Sequence, residues 1–353
     1  MNSTKVSKRI LALDILRGVT IAGMIMVNNP GSWGHIYAPL RHAEWNGLTP
    51  TDLVFPFFMF IMGISTYISL KKYNFEFSHA AGMKILKRTI VIFLIGMAIG
   101  WFSRFCYYWA SAPDDLSFGE KLWASVWTCD RIRILGVMQR LALCYGAASI
   151  IALTMKHKHI PYLIAGLLTG YFILLMCGNG FAYNETNILS VVDRAILTPA
   201  HMYKDNGIDP EGLLSTIPAI AHVLLGFCVG RLMLDGNKSE DRASFLNSQL
   251  ITLFLVGVIL TFSGFLLSYG CPINKKIWSP TYVLVTCGLA SSFLALLIWI
   301  IDVKGYKKWS MFFEAFGVNP LFMYVLGGVL SILFGSISFP WGNSSISIHG
   351  FLY

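Results

Sequence analysis

The stretch that decides the fold runs from Asn28 to Gly63 and reads NNPGSWGHIYAPLRHAEWNGLTPTDLVFPFFMFIMG. Its first half is polar and aromatic and carries His42, whereas its second half is strongly apolar. Thr49, Pro50 and Asp52 suit the N-cap, first and third positions of a helix. The stretch therefore predicts a polar loop that leads directly into a membrane-spanning helix.

The composition of the whole chain extends this interpretation. Of its 353 residues, 55% are hydrophobic and 13% are charged, whereas soluble domains carry about 25% charged residues. Apolar runs of about 20 residues recur, which is the length that crosses a bilayer as a helix. We expect an all-α, polytopic transmembrane bundle formed by one integral membrane domain, residues 1–353. The predicted spans are residues 10–28, 52–70, 86–106, 133–155, 160–178, 213–233, 248–269, 280–301 and 311–334.

The net charge of +9 reports topology rather than a nucleic-acid partner. Most of the 27 lysines and arginines lie at the N-terminus and after every second span. Because cytoplasmic loops are enriched in Lys and Arg, the N-terminus is predicted in the cytoplasm and His42 on the outer face. Membrane lipid is thus the expected surrounding. No Walker loop, dinucleotide fingerprint or HExxH spacing occurs, and we expect no metal.

Several ionisable side chains lie within the predicted spans, where lipid disfavours them and a bundle interior or a ligand is expected. Arg17 follows Asp14 by three residues on the same helix face, and an ion pair or an anionic ligand would explain it. Arg133 and Arg140 share a face of the fourth span, with Gln139 beside them. Arg140 begins about 10 Å deeper than Arg133, which favours a ligand contact or a buried ion pair.

Other candidate side chains lie in segments predicted on the outer face. Asp52 has a structural explanation as a capping residue, and substrate contact is the alternative. Ser279, followed by Pro280, likewise suits a helix start, as does Asp209, followed by Pro210 and Glu211. The pair Asn319 and Pro320 within the ninth span predicts a kink. Further candidates for substrate contact are Trp45, Asn46, Glu211 and Trp278.

His42 is the candidate catalytic residue, because neutral imidazole, with an unperturbed pKa of about 6.5, removes protons near neutral pH. Two functional classes fit the pattern. One is acyl transfer, and the other is a transporter or flippase of a polar metabolite or lipid-linked sugar, since kinked helices and intramembrane charges occur in both. No internal repeat is evident, which favours the enzyme.

Six motifs lie in matching order along most of the chain and carry a resemblance to a known family. They are LDILRG (13–18), VNNPG (27–31), HAEWNGLTPTDLVFPFFMFIMG (42–63), RILGVMQR (133–140), DPEGLLSTI (209–217) and NKKIWSPTY (274–282). The sequence resembles bacterial homologues of the lysosomal heparan-α-glucosaminide N-acetyltransferase family, within the wider transmembrane acyltransferases.

This resemblance implies transfer of an acetyl group from acetyl-CoA, approached from the cytoplasm, to an acceptor beyond a bacterial inner membrane. The essential histidine of the family falls on His42, and its assisting asparagine falls on Asn28, which would orient His42 or donate a hydrogen bond to the thioester oxygen. Asn-Pro-Gly follows here where the family enzyme has a Gly-rich run, so an amino sugar or another glycan is expected as the acceptor instead of heparan. Direct transfer and an acetyl-histidine intermediate both remain open.

The resemblance also bears on the coenzyme, the span count and assembly. Candidate contacts to acetyl-CoA are Arg17, Arg133, Gln139 and Arg140. The family pattern carries one further C-terminal span, so nine to ten spans are expected. Small residues within the spans permit a homodimer.

Overall fold

The structure is a computed structural model that describes residues 10–30, 34–113, 115–128, 131–203, 205–235, 242–342 and 344–352. These residues are almost entirely helical. The first helices are α1 (Leu11–Asn28), α2 (Pro50–Lys71), α3 (His79–Ser111), α4 (Phe118–Val126), α5 (Val137–Thr154), α6 (Ile160–Cys177) and α7 (Ile188–Leu197). The later helices are α8 (Thr216–Asp235), α9 (Arg242–Leu267), α10 (Pro280–Leu297), α11 (Met311–Val318), α12 (Pro320–Ser336) and α13 (Ile348–Leu352). Strands β1 (Ser338–Trp341) and β2 (Ser344–Ser347) form an antiparallel hairpin before α13.

The helices confirm a polytopic membrane bundle. Within the described ranges, eight helices are long and apolar enough to cross a membrane, and the pair α11 and α12 makes a ninth if it is one span. These nine correspond one for one to the nine spans predicted from sequence. The short helices α4 and α7 fall in segments predicted as loops.

The ninth candidate span is broken at Asn319 and Pro320. Its two halves, Lys308–Val318 and Pro320–Ser336, are inclined by 83°. Proline has no backbone N–H, and it disfavours helical backbone in the residue before it. The kink expected from an intramembrane Asn-Pro pair is therefore confirmed as a sharp break.

Glycines let the central helices touch backbone to backbone. A Cβ atom on Gly63 of α2 would overlap the carbonyl oxygen of Val223 in α8. A Cβ atom on Gly18 of α1 would overlap the carbonyl oxygen of Phe313 in α11. Small residues at such crossings are typical of membrane bundles, where close packing drives helix association.

Pro56 shapes the first two turns of α2. Because proline cannot donate to the carbonyl four residues earlier, the carbonyl of Asp52 needs another partner. The hydroxyl of Tyr282 in α10 donates to it at 2.6 Å. The carbonyl of Pro56 itself accepts a hydrogen bond from Nε2 of His222 in α8, at 2.9 Å. These bonds fix the start of α2, and with it Asp52, against two neighbouring helices.

Candidate active site

A cavity of about 440 Å³ opens at the end of the bundle where α1 ends and α2 begins. Its walls come from the end of α1, the His42 loop, the first turns of α2, the start of α5 and two later loops. The volume lies in the range of pockets that hold small ligands. Its polar lining includes Asn28, His42, Asp52, Arg133, Glu211 and Lys275.

His42 and Asp52 form a hydrogen-bonded pair at this cavity. Nδ1 of His42 lies 2.6 Å from Oδ1 of Asp52. A carboxylate only accepts hydrogen bonds, so this contact favours the hydrogen on Nδ1 and the lone pair on Nε2. The His42 side chain is 43% exposed, whereas that of Asp52 is 1% exposed. A substrate can therefore reach the imidazole while its partner stays shielded, as in other histidine–carboxylate pairs.

The second oxygen of Asp52 fastens the start of α2. Oδ2 accepts hydrogen bonds from the backbone N–H groups of Ala43, at 3.0 Å, and Thr49, at 3.2 Å. The hydroxyl of Thr49 lies 2.9 Å from the same oxygen. The predicted capping role of Asp52 is confirmed, and the contact with His42 is a second role carried by the other oxygen.

Lys275 completes a group of three charged or titratable side chains. Its Nζ lies 3.0 Å from Nδ1 and 3.5 Å from Nε2 of His42, and 3.4 Å from Oδ1 of Asp52. Burial lowers the pKa of Lys275, against the opposing effect of Asp52 and Glu211. The lysine side chain is only 17% exposed, so it is enclosed beside the histidine rather than extended into solvent.

Arg133 braces the opposite wall. It forms ion pairs with Asp209 and Glu211, and its Nε donates to Oδ2 of Asp209 at 3.2 Å. Oδ2 of Asp209 also accepts from the N–H of Tyr203, so this carboxylate serves the loop and does not cap a helix. As a result α8 begins at Thr216, later than the Asp-Pro-Glu pattern predicts. Burial alone would raise the pKa of Glu211, but Arg133 and Arg140 hold it below its usual value.

Asn28 shares the cavity with His42 but does not orient it. Both residues line the same space. Asn28 is exposed at the end of α1, and no hydrogen bond joins it to His42 in the described part of the chain. The partner of Nδ1 is Asp52. Of the two roles predicted for Asn28, the one that fits this geometry is to donate a hydrogen bond to a bound substrate, and that role stays a prediction.

Arg17 is not among the residues that line this cavity. It precedes Met24, the first residue of α1 that lines the cavity, by seven residues, which is about 10 Å along the helix. Its guanidinium contacts Asp14 Oδ1 at 3.0 Å and Ser65 Oγ at 2.8 Å. These contacts tie α1 to α2, and a coenzyme role for Arg17 stays a prediction.

Arg140 and Gln139 lie deeper than Arg133 and are not among the residues that line the cavity. Arg140 is buried, donates to the carbonyl of Gly212 at 3.1 Å and lies 5.1 Å from the ring centroid of Trp278. The side-chain amide of Gln139 packs against Gly96 of α3. The predicted contacts of Arg140 and Gln139 with acetyl-CoA stay predictions.

The remaining predicted residues fasten the loop that carries Lys275. Oδ1 of Asn46 accepts from Nδ2 of Asn274 at 3.2 Å, which joins this loop to the His42 loop. Ser279 caps α10 by accepting from the N–H of Tyr282 at 3.3 Å. Trp278 is buried with a positive φ of 52°, an uncommon conformation for a bulky residue.

Trp45 lies behind the cavity wall. Its ring stacks on Tyr183 with centroids 4.6 Å apart, and its Nε1 donates to the carbonyl of Phe181 at 2.9 Å. Tyr183 in turn accepts a hydrogen bond from Lys276, which lines the cavity, at 2.7 Å. Substrate contact by Trp45, Asn46, Trp278 and Ser279 therefore remains a prediction, and their visible partners are structural.

Lys275 and Lys276 were not among the site residues predicted from sequence. One signal did point to them: they are two lysines in a loop on the side where Lys and Arg are sparse. Within the described ranges, no group of three His, Cys, Asp or Glu side chains is arranged to hold a metal ion.

Comparisons with known proteins agree on one family. A family profile described as "Heparan-alpha-glucosaminide N-acetyltransferase, catalytic" matches residues 9–258. The chain is 28% identical to heparan-alpha-glucosaminide N-acetyltransferase of Homo sapiens over 90% of its own length and 52% of the human protein. It is 26% identical to the Mus musculus protein of the same name, over 95% of the chain and 55% of that protein.

The chain thus spans about half the length of the curated relatives that it matches. The profile match covers well over half of the chain and includes His42, Asp52 and Arg133. Lys275 lies beyond the profile but inside a cavity that matched segments build. The chain belongs to the heparan-alpha-glucosaminide N-acetyltransferase catalytic family.

Proposed function

We propose that this protein is a membrane acetyltransferase that moves an acetyl group from acetyl-CoA to an amine or hydroxyl of an amino sugar or glycan. The observation that carries the proposal is the 2.6 Å contact between His42 Nδ1 and Asp52 Oδ1 at a cavity. It leaves an accessible, oriented base at Nε2. The names of the relatives support acetyl transfer to a glucosaminide, and the acceptor of this chain is proposed only as a class.

In the proposed reaction, the acceptor N–H or O–H donates to Nε2 of His42. As the acceptor atom attacks the thioester carbonyl, His42 takes the proton, and Asp52 stabilises the imidazolium that forms. The side-chain amide of Asn28 donates to the carbonyl oxygen as negative charge develops there. The tetrahedral intermediate then expels the thiolate of coenzyme A, which receives the proton from His42.

We also propose that acetyl-CoA enters from the cytoplasm and that the cavity faces the periplasm of a bacterial inner membrane. The support is the excess of Lys and Arg in alternate loops. Of the predicted coenzyme contacts, Arg133 is the one that lines the cavity. Its two carboxylate partners keep it in place beside the bound thioester.

The test uses purified protein in detergent with labelled acetyl-CoA and a panel of amino sugars and glycan fragments, read by the mass gain of one acetyl group. We expect His42→Ala to lose transfer to background while remaining folded and binding acetyl-CoA. The matched control is His35→Ala, because His35 is exposed in the same loop and is not among the cavity-lining residues. Full activity of His42→Ala would exclude the proposal, and turnover without a gradient distinguishes it from transport.

A further inference from the structure

Lys275 stands out because the structure holds it rigidly against the histidine. The loop that carries it is joined to the His42 loop by a hydrogen bond from the N–H of Gly47 to the carbonyl of Ile273, at 2.8 Å. The side chains of Asn46 and Asn274 form a second link at 3.2 Å. A lysine that served only topology would extend into water, and this one is enclosed.

The three side chains have a definite charge balance. Asp52 carries one negative charge and the Lys275 ammonium carries one positive charge, so the group is neutral overall when His42 is neutral. When His42 gains a proton, the imidazolium lies about 3 Å from an ammonium. A like charge at that distance disfavours the protonated histidine, whereas a lone carboxylate would favour it.

The other charged groups at the cavity have partners of their own. Besides Asp52 and Lys275, the charged residues that line it are Glu44, Arg133, Asp205, Glu211 and Lys276. Arg133 is paired with Glu211 and Asp209, and Lys276 is paired with Asp205 at 2.7 Å. Glu44 is exposed in the same loop as His42. Of these groups, Asp52 and Lys275 are the two in direct contact with the imidazole of His42.

We propose that Lys275 is a positioning residue that keeps His42 neutral by balancing the charge of Asp52. The inference rests on the proposed role of His42 as a general base. A base must be unprotonated before the acceptor binds, yet it needs a carboxylate to hold its tautomer. Asp52 alone would supply the orientation and also favour a proton on the ring. Lys275 offsets the tendency of Asp52 to protonate the ring and leaves the orientation of the ring unchanged.

The experiment compares full-length wild type, Lys275→Met and Lys275→Arg in detergent. Methionine keeps the length and apolar stem of lysine without its charge, and arginine keeps the charge. The first readout is NMR of histidine-labelled protein, with the His42 signal assigned by its loss in His42→Gln. We expect the His42 titration midpoint to move to higher pH by on the order of 1 unit in Lys275→Met. Lys275→Arg should leave the midpoint close to that of wild type.

The second readout is the pH dependence of kcat/KM for acetyl transfer. The acid limb of Lys275→Met should move to higher pH together with the NMR midpoint. At a pH below the midpoints of both proteins, its kcat/KM should be about tenfold lower than that of wild type for a shift of one unit. Above the limb the rate should recover. Lys276→Met is the matched control, since it removes the neighbouring charge, which is paired with Asp205, and it should leave the limb in place.

The outcomes separate the two proposals. An unchanged or lower His42 midpoint in Lys275→Met, or an equal shift in Lys276→Met, would overturn the role of Lys275. Absence of acetyl transfer in the wild type together with a shifted NMR midpoint would overturn the proposed function and leave the charge balance standing. If Lys275→Met melts at a much lower temperature than wild type, Lys275→Gln is the second neutral variant for the same two measurements.

Discussion

Asp52→Asn is the most informative single substitution, because asparagine has the shape of aspartate without its charge. Two backbone N–H groups donate to Oδ2 and the Thr49 hydroxyl lies beside it, so the amide oxygen takes that position. The amide nitrogen then faces Nδ1 of His42, where Oδ1 stood 2.6 Å away. An NH₂ group only donates, so it favours the tautomer with the hydrogen on Nε2, and the Lys275 ammonium beside Nδ1 favours that tautomer too. The base then presents no lone pair to the cavity.

The size of the effect follows from the hydrogen bond that is lost. A hydrogen bond to a charged group contributes about 1.5–3 kcal/mol. At about 1.4 kcal/mol per factor of ten, that loss alone lowers the rate by about 10- to 150-fold. The unfavourable tautomer lowers the rate further, and we expect kcat to fall by about 100-fold or more in total. The cap keeps its acceptor, but the enclosed Lys275 ammonium loses its carboxylate partner, so the melting temperature should fall as well and the rate is compared per folded molecule.

The assay is the initial rate of acetyl transfer per folded molecule, with the melting temperature measured on the same sample. Thr49→Val is the matched control, because it removes the hydroxyl beside Oδ2 and leaves the contact between Oδ1 and His42. It should lower the melting temperature and change kcat only a few-fold. A wild-type kcat in Asp52→Asn, or an equal loss of rate in Thr49→Val, would refute the assignment of Asp52 as the group that orients the base.

Two further predictions concern stability. Gly63→Ala should lower the melting temperature markedly, because its Cβ would overlap the carbonyl of Val223, whereas Gly100→Ala in α3 meets open space and should be neutral or slightly stabilising. Burial raises the pKa of Asp193 to about 6, so its ionisation opposes folding and stability falls as pH rises from about 4 to about 6. Asp193→Asn should therefore be more stable than wild type at pH 7, by on the order of 1–3 kcal/mol, with the difference vanishing near pH 4 in thermal melts. A constant difference across this range would contradict the proposed origin of the effect.

Local patterns account for most of the fold. Each span is a continuous apolar segment, and Asn319 and Pro320 mark the break because proline constrains its own neighbours. The start of α8 was placed too early, since Asp209 has the right type and position for a helix cap. Its carboxylate is drawn instead to Arg133, a residue 76 positions away. A contact over that separation leaves no trace in a local pattern.

The same limit applies to the candidate site. His42 and Asp52 are ten residues apart, and both were singled out from one stretch. Lys275 is 233 residues from His42 and was not predicted, because its role depends on how two loops meet. The depth of Arg140 along its helix indicated a ligand or a buried ion pair, and the structure places it against Trp278 and the turn at Gly212. Depth in a membrane is a property of the sequence, but the partner found at that depth is not.

The two oxygens of Asp52 belong to one rigid group, which links local unfolding to readiness for reaction. If the first turn of α2 frays, Oδ2 loses the N–H groups of Ala43 and Thr49, and Oδ1 leaves His42 in the same event. Hydrogen exchange at those two amides therefore measures the fraction of molecules in which His42 has lost its contact with Asp52. The opening free energy of a single helical turn sets the fraction of the population that can accept a substrate productively.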